Sequence, residues 1–425
     1  MGKICTVAVL GCGARGSGYA GHMFKEKDKY EIVAICDISQ RILNIAKETW
    51  GIKDENLFLS ADEFLTEKRA DILVIGTHDR EHVKYAVKAL ELGYHLLLEK
   101  PISPLKDELY EILDAHKKYP QHVVVCHVLR YAPAFVKIKE ILDSKEIGDL
   151  RVIEWTEQVA YWHQAHSFVR GNWRNDAESS PMIMQKCCHD MDLLQYYVGA
   201  KCETVFSSGD LSYFKPEFQP EGASDRCADC KFIKTCPYSA EHNYIDRWYQ
   251  RGAKANDWPF NIVCQDRPLT EEKIRKAYTE NQYGRCVFKC DNTVVDNQTV
   301  NLVFENGVKV NMLMTGFTAD PTRKATFYGT LGEIRFNDFG DYIDVVKFGK
   351  EPVRYKISDL VDPDKSGYGH GGGDVIMCDQ LYDMVTNPNT KIATSLEASV
   401  ESHLMALCAE ESRLTGKVVK VHEKD

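Results

Sequence analysis

Thr6-Val7-Ala8-Val9-Leu10-Gly11-Cys12-Gly13-Ala14-Arg15-Gly16 decides the fold of this chain. Thr6–Leu10 reads as a buried strand, and it runs into glycines followed by a segment that can be helical. In such a strand–turn–helix, Gly11 allows the tight turn and Gly13 lets the backbone approach a pyrophosphate. Gly16 lets the helix lie close to the strand, and the helix N-terminus offers N–H donors and its dipole. The turn alone is a weak signal, and its surroundings strengthen it. Ile32-Val33-Ala34-Ile35-Cys36-Asp37 is a second buried strand that ends on a carboxylate, about 20 residues beyond the glycines. Asp37 there accepts hydrogen bonds from adenosine ribose hydroxyls and repels a 2′-phosphate. Ile38, not an arginine, comes next, which favours NAD over NADP, although Arg41 is near enough in sequence to reach a phosphate.

The same alternation continues outward. Gln40–Thr49 reads as a helix, Ile72–Ile75 as a strand, His82–Leu92 as a helix stopped by Gly93, and His95–Leu98 and Val123–Val125 as further strands. Short apolar strands separated by amphipathic helices imply an α/β, doubly wound parallel sheet covered on both faces. After residue 150 the alternation fades. Strand-like runs follow at Leu150–Thr156, Gln298–Phe304, Val308–Thr315 and Tyr342–Phe348, and a long helix reads from about Ser395 to Leu414, ended by Gly416.

The 425 residues suffice for two or three domains, and 44% apolar with 27% charged residues is ordinary globular composition. A net charge of −10 argues against a nucleic-acid or anionic-membrane surface as the main partner, since both attract basic faces. No apolar run approaches the length of a membrane span. Met1-Gly2-Lys3-Ile4-Cys5-Thr6 has the form of a myristoylation signal, but a buried first strand accounts for it. With no export signal read, the chain is expected in the cytoplasm. Its 15 cysteines are then thiols or metal ligands, and their odd number excludes complete intrachain pairing.

Glu99-Lys100-Pro101 follows the strand His95–Leu98, and Gly76-Thr77-His78-Asp79-Arg80-Glu81-His82 follows another strand. Leu129-Arg130-Tyr131-Ala132-Pro133-Ala134 and Ile147-Gly148-Asp149-Leu150 come later. With the glycine-rich turn, these resemble the glucose–fructose oxidoreductase and inositol dehydrogenase family, Gfo/Idh/MocA. The resemblance implies a Rossmann domain over residues 1–126. Residues 127–425 then form a substrate-binding α/β domain on an open, largely antiparallel sheet, with the nicotinamide in the cleft between them. It places Gly11, Gly13, Ala14, Arg15, Gly16, Asp37, Thr77, His78, His82, Glu99 and Lys100 on the cofactor side. It also sets Lys100 beside the reacting hydroxyl, where an ammonium can hydrogen-bond a substrate oxygen and tune a neighbouring base.

Many members carry Asp-x-x-x-His-x-x-Asp in the second domain. Here His189 and Asp192 fit, while Gln185 occupies the leading position and cannot take a proton. His189 is therefore the expected acid/base, with Lys100 or Lys186 as electrostatic partner and Asp192 on the substrate side. His163, His166, Arg170 and Trp173 suit a polyhydroxylated ring, because aromatic faces stack on C–H groups and polar groups bind hydroxyls. His370, in a glycine-rich turn, is a further candidate for the cleft. A dimer or tetramer paired through the open sheet is expected from the same resemblance.

The segment from about 207 to 297 departs from a minimal member. Cys227-x2-Cys230-x5-Cys236, with distant Cys286 as a fourth ligand and Cys290 or Cys264 as substitutes, has the make-up of a structural zinc site; an iron–sulfur cluster is the less favoured occupant. Such a site would pin a polar loop without its own core. The expected activity is NAD-dependent oxidation of a sugar, cyclitol or sugar derivative. The alternatives are an NAD-dependent glycosidase working by transient oxidation and elimination, and a non-catalytic NAD-dependent sensor.

Overall fold

The computed structural model describes residues 3–255, 258–365, 369–387, 389–390 and 393–422. Strands β1 (Cys5–Leu10), β2 (Tyr30–Cys36), β3 (Leu57–Phe58), β4 (Ile72–Ile75), β5 (His95–Leu98) and β6 (Val123–Val125) make one sheet, ordered β3-β2-β1-β4-β5-β6. Every pairing in it is parallel. The strand order reverses between β1 and β4, so a crevice opens at the C-terminal ends of these strands. All of β4 is buried because helices cover both faces. Helices Ala14–Lys25 and Gln40–Trp50 lie against Val7, Val9 and Val74, while His82–Glu91 and Lys106–Lys118 lie against Ala8, Leu73 and Leu96.

The chain later returns to this domain. Helix Gly373–Thr386 places Met377, Cys378 and Leu381 in the same cluster as Val7, Val9 and Tyr19. This later helix therefore packs on the first sheet.

Two glycines hold the decisive turn. Gly11 has φ +84°, and a Cβ there would meet the Gly76 backbone at 2.7 Å; a Cβ on Gly16 would stand 2.1 Å from the Gly11 carbonyl oxygen. Nothing lies within 4 Å of a Cβ built on Gly13, so the turn is open on that side. Gly16→Ala is expected to cost about 1–3 kcal/mol, as overpacking does. It should lower the melting temperature and weaken NAD binding together; unchanged values for both would refute the close contact.

The second sheet comprises β7 (Leu150–Gln158), β8 (Cys202–Asp210), β9 (Asn297–Phe304), β10 (Lys309–Thr315), β11 (Thr322–Gly329), β12 (Gly332–Asn337), β13 (Tyr342–Lys347), β14 (Val353–Lys356) and β15 (Val419–Lys420). Their order is β14-β13-β12-β11-β7-β10-β9-β8-β15. β7 and β10 run parallel, and the other neighbours are antiparallel. Burial alternates along β9 and β10, so one face is packed and the other open. The packed face lies on helices Cys188–Val198 and Leu396–Thr415, through residues such as Trp155, Met312, Leu194 and Met405. The expected C-terminal helix is present as Leu396–Thr415. The Ser395 hydroxyl accepts from the Ala398 N–H, and Gly416 ends the helix in the left-handed region. Among the described residues no helix is long and apolar enough to cross a membrane.

The Cys-rich insertion differs from its expectation in two ways. Ser207–Asp210 belongs to β8 and Asn297 to β9, so the insertion is residues 211–296. It also has its own core, in which Tyr244, Trp248, Phe260, Ile274, Tyr278 and Tyr283 cluster away from water. Aromatic side chains scattered along the sequence supply this burial, and no periodic pattern announces it.

Candidate active site

The cofactor-side residues gather at the C-terminal edge of the parallel sheet, as the topology requires. The Gly11 N–H donates to the Cys36 carbonyl at 2.8 Å and the Gly76 N–H to the Leu10 carbonyl at 2.9 Å, fixing the turns after β1 and β4 together. Gly13 stands at the N-terminus of Ala14–Lys25, which has no acidic residue in its first turn. Asp37 accepts from the Cys12 N–H at 2.8 Å and the Ser39 N–H at 2.9 Å, holding its carboxylate against the glycine turn. Arg41 is engaged elsewhere: it donates to the Gln265 carbonyl of the insertion at 2.6 Å.

Three residues expected beside the cofactor support the cleft from behind. Arg15 donates to Glu99 at 2.9 Å and to Asp374 at 2.6 Å, tying the turn to helix Gly373–Thr386. The buried Glu99 also accepts from the Tyr19 hydroxyl and the Lys100 N–H. Burial alone would raise the Glu99 carboxyl, but Arg15, Lys100 and Tyr19 outweigh it and hold it below the ordinary range. His82 is buried, with its ring nitrogens 2.8 Å from the Pro101 carbonyl and 3.2 Å from the Thr77 carbonyl. These contacts hold Glu99 and His82 within the protein. Thr77 Oγ1, by contrast, is buried without a partner.

Lys100 leaves the end of β5 and donates from Nζ to the Gln185 carbonyl at 3.0 Å. Gln185 also donates from its side-chain amide to Asp79, and the Ser180 hydroxyl donates to the same carboxylate. Asp79 is buried and pairs with His78 at 2.9 Å. The departure at Gln185 thus has a physical account, since an aspartate there would set a second carboxylate against Asp79. Asp79 and Gln185 are organising residues that the sequence reading did not select, although Asp79 lies in the quoted motif after β4.

His189 is 9% exposed, and its Nδ1 has no partner. Burial, then the charge of Lys100, pushes its imidazolium well below the usual histidine range, with His127, His370 and Arg323 adding to the effect. Its ring centroid is 6.0 Å from that of His127 and 6.2 Å from that of His370. His370 therefore does reach this group. His127 was not foreseen, although its position just after β6 at the C-terminal edge of the sheet is where a crevice residue belongs. Lys186 pairs with Glu157 at 3.1 Å, and Arg323 joins Glu157 at 2.9 Å and Asp190 at 2.8 Å, forming a charged wall from β7 and β11.

The substrate-side candidates divide. Trp173 lies 5.4 Å from His78 between ring centroids, and His163 contacts Trp162, Phe168 and Trp258. Burial, Lys186, His166 and Lys100 keep His163 neutral. Trp258, supplied by the insertion, was missed for want of any motif. His166, Arg170 and Asp192 are engaged within the protein. His166 stacks on Tyr283 and lies 3.1 Å from the Tyr244 hydroxyl, inside the joint with the insertion. Arg170 donates to the carbonyls of Arg285 and Tyr238. Asp192 is bound by Arg130 at 2.7 Å and 2.8 Å in a buried pair. Each makes its contacts inside the protein.

Cys227, Cys230, Cys236 and Cys286 line one cavity of about 40 Å³ together with Arg170. All the cysteines are free thiols. Among the described residues no group of three or more His, Cys, Asp or Glu side chains is already gathered for a metal ion.

Comparison with known proteins agrees with the two-part fold. Residues 5–127 match the profile of an oxidoreductase family described as having an NAD-binding Rossmann fold, and residues 139–421 match that family's C-terminal alpha/beta domain. A putative oxidoreductase, YteT, of Bacillus subtilis is 25% identical over 364 residues, 83% of this chain and 82% of that protein. An inositol 2-dehydrogenase of Salmonella typhimurium is 22% identical over 200 residues, 46% of this chain and 55% of that protein. The fold is shared with the WlbA dehydrogenase of Bordetella pertussis, solved with NADH and UDP-GlcNAcA, at TM-score 0.68 and 16% identity over 99% of this chain and 100% of that one. It is shared also with myo-inositol 2-dehydrogenase of Lactobacillus plantarum, at TM-score 0.66 and 16% identity over 99% and 100%.

Proposed function

We propose that this chain, which belongs to the Gfo/Idh/MocA oxidoreductase family, transfers hydride between NAD and a hydroxyl of a sugar, cyclitol or sugar derivative. The observation that carries the reading is the ammonium of Lys100 beside a buried, neutral His189, at the mouth of the crevice after β5.

The residues present fit a dinucleotide. Gly11 and Gly16 leave no room for side chains, Gly13 is open, and the unpartnered Thr77 Oγ1 is available to a ligand. Asp37 suits ribose hydroxyls, Ile38 at 92% exposure offers an apolar face to adenine, and Arg41 is held by Gln265, which supports NAD rather than NADP. Held by these residues, NAD would supply the hydride acceptor. The chain does the rest. Neutral His189 takes the hydroxyl proton, Lys100 hydrogen-bonds the same oxygen, and Trp173 with His163 provides faces for the ring. A homodimer or homotetramer belongs to this reading, since Phe206 and Leu313 stand exposed on the open sheet.

The test is identification of the nucleotide released on denaturation, followed by a screen of sugars, cyclitols and aryl glycosides with and without added NAD. NADH formed in proportion to a free sugar or cyclitol is expected. Glycoside cleavage with tightly held NAD and no net NADH would overturn the reading. Asp37→Ala is expected to weaken NAD binding by about 10- to 100-fold, the worth of hydrogen bonds to a charged group. A variant that binds NAD as the parent does would remove Asp37 from the ribose site.

A further inference from the structure

Four of the insertion's six cysteines share a cavity with a buried cation. Arg170 is 1% exposed, and its Nη1 is buried without a partner. Among the described residues no carboxylate pairs with it. It contacts the carbonyls of Arg285 and Tyr238, and it donates from Nη2 to the Cys227 sulfur at 3.5 Å. An uncompensated guanidinium in such a place is costly unless negative charge lies nearby. Thiolates are the groups at hand.

Backbone geometry brings the distant cysteine to the other three. Arg226 and Arg285 form a β-bridge, and the Cys286 N–H donates to the Asp225 carbonyl at 2.8 Å, so Cys227 and Cys286 each follow one side of the same bridge. The chain then turns after each of the remaining cysteines. The Cys230 N–H donates to the Cys227 carbonyl, the Ile233 N–H to the Cys230 carbonyl and the Ser239 N–H to the Cys236 carbonyl, none of them to sulfur. Further donors point at sulfur: the Ala240 N–H at 3.4 Å from Cys227 and the Gln219 amide at 3.8 Å from Cys286. Such N–H groups stabilise metal thiolates from outside the ligand set. Cys290 is not a member, because its thiol donates to the Cys286 carbonyl at 3.3 Å.

We infer that Cys227, Cys230, Cys236 and Cys286 bind one Zn²⁺ ion through four thiolates, with Arg170 balancing the charge and fastening the insertion to the segment that carries His163. The four cysteines line one cavity but are not gathered as a ligand set among the described residues, so binding requires their thiols to turn toward the ion. Binding is redox-neutral: four S–H bonds ionise, four metal–sulfur bonds form, and the protons leave to solvent. The insertion has its own aromatic core, so the ion pins loop 219–240 and not the whole segment.

The full chain, purified without added metal, is expected to hold one zinc by elemental analysis. After chelation, Co²⁺ should give the intense visible bands and the sulfur charge-transfer absorption of tetrahedral thiolate coordination. Cys230→Ser and Cys286→Ser should lose at least tenfold in zinc affinity, measured against a chromophoric chelator, while Cys290→Ser keeps the parental value. Co²⁺ spectra of the unaltered chain keep the test valid if the serine variants do not fold. Four thiols that react freely in zinc-free native protein, with no Co²⁺ spectrum, would overturn the assignment. Iron with acid-labile sulfide would also overturn it.

Discussion

Replacing Lys100 with methionine is expected to lower kcat by about 10²- to 10⁴-fold, the range of positioned acid–base assistance. The substitution keeps the length of the side chain and removes its charge. It leaves Gly11, Gly16 and Asp37 in place, so NADH binding followed by fluorescence should stay within a few-fold of the parent. The residual activity carries a second signature. Lys100 is one of the charges that keep His189 low, so its loss raises the His189 pKa. The base must be neutral to accept a proton, and the acid limb of the pH–rate profile therefore moves to higher pH. A fall in kcat with no movement of that limb would separate Lys100 from His189. Parental kcat would remove Lys100 from the chemistry.

The other large effect concerns stability. Arg130→Met leaves Asp192 buried and without its counter-ion, which costs about 3–5 kcal/mol in comparable buried pairs. Asp192 is 1% exposed, and burial already raises its carboxyl despite the guanidinium. Arg130 also donates to the Ala393 carbonyl at 3.0 Å, so its loss loosens the lead-in to helix Leu396–Thr415. Denaturant unfolding of the full chain should register the loss, and adding Asp192→Asn should recover part of it. If Arg130→Met unfolds within about 1 kcal/mol of the parent, the pair is not the buried tie described here. A selective rise in KM for Asp192→Asn, at unchanged stability, would return Asp192 to the substrate side.

The local reading was strongest where a backbone feature and a residue type coincide. Gly11 must adopt a left-handed turn and Gly16 must admit a carbonyl, so the glycines, the strand before them and Asp37 together announced the parallel sheet. Ser395 and Gly416 likewise bounded the last long helix, since capping is satisfied within a few residues. Lys100 and His189 were named from family motifs whose spacing places them after a strand and on a helix. Side-chain partners were not readable in this way. Asp192, Arg170 and His166 have the chemistry of substrate ligands, yet Arg130, the Arg285 and Tyr238 carbonyls and Tyr283 occupy them, and those partners lie tens of residues away. Gln185 was an apparent defect in a catalytic pattern until the fold brought Asp79 against it. The insertion's core escaped notice because aromatic residues without periodicity cluster only when the chain is folded. The sequence by itself determined the sheet and the dinucleotide turn, because backbone conformation and short-range spacing specify them. Only the tertiary structure decided which polar side chains remain free, because long-range contacts consume the rest.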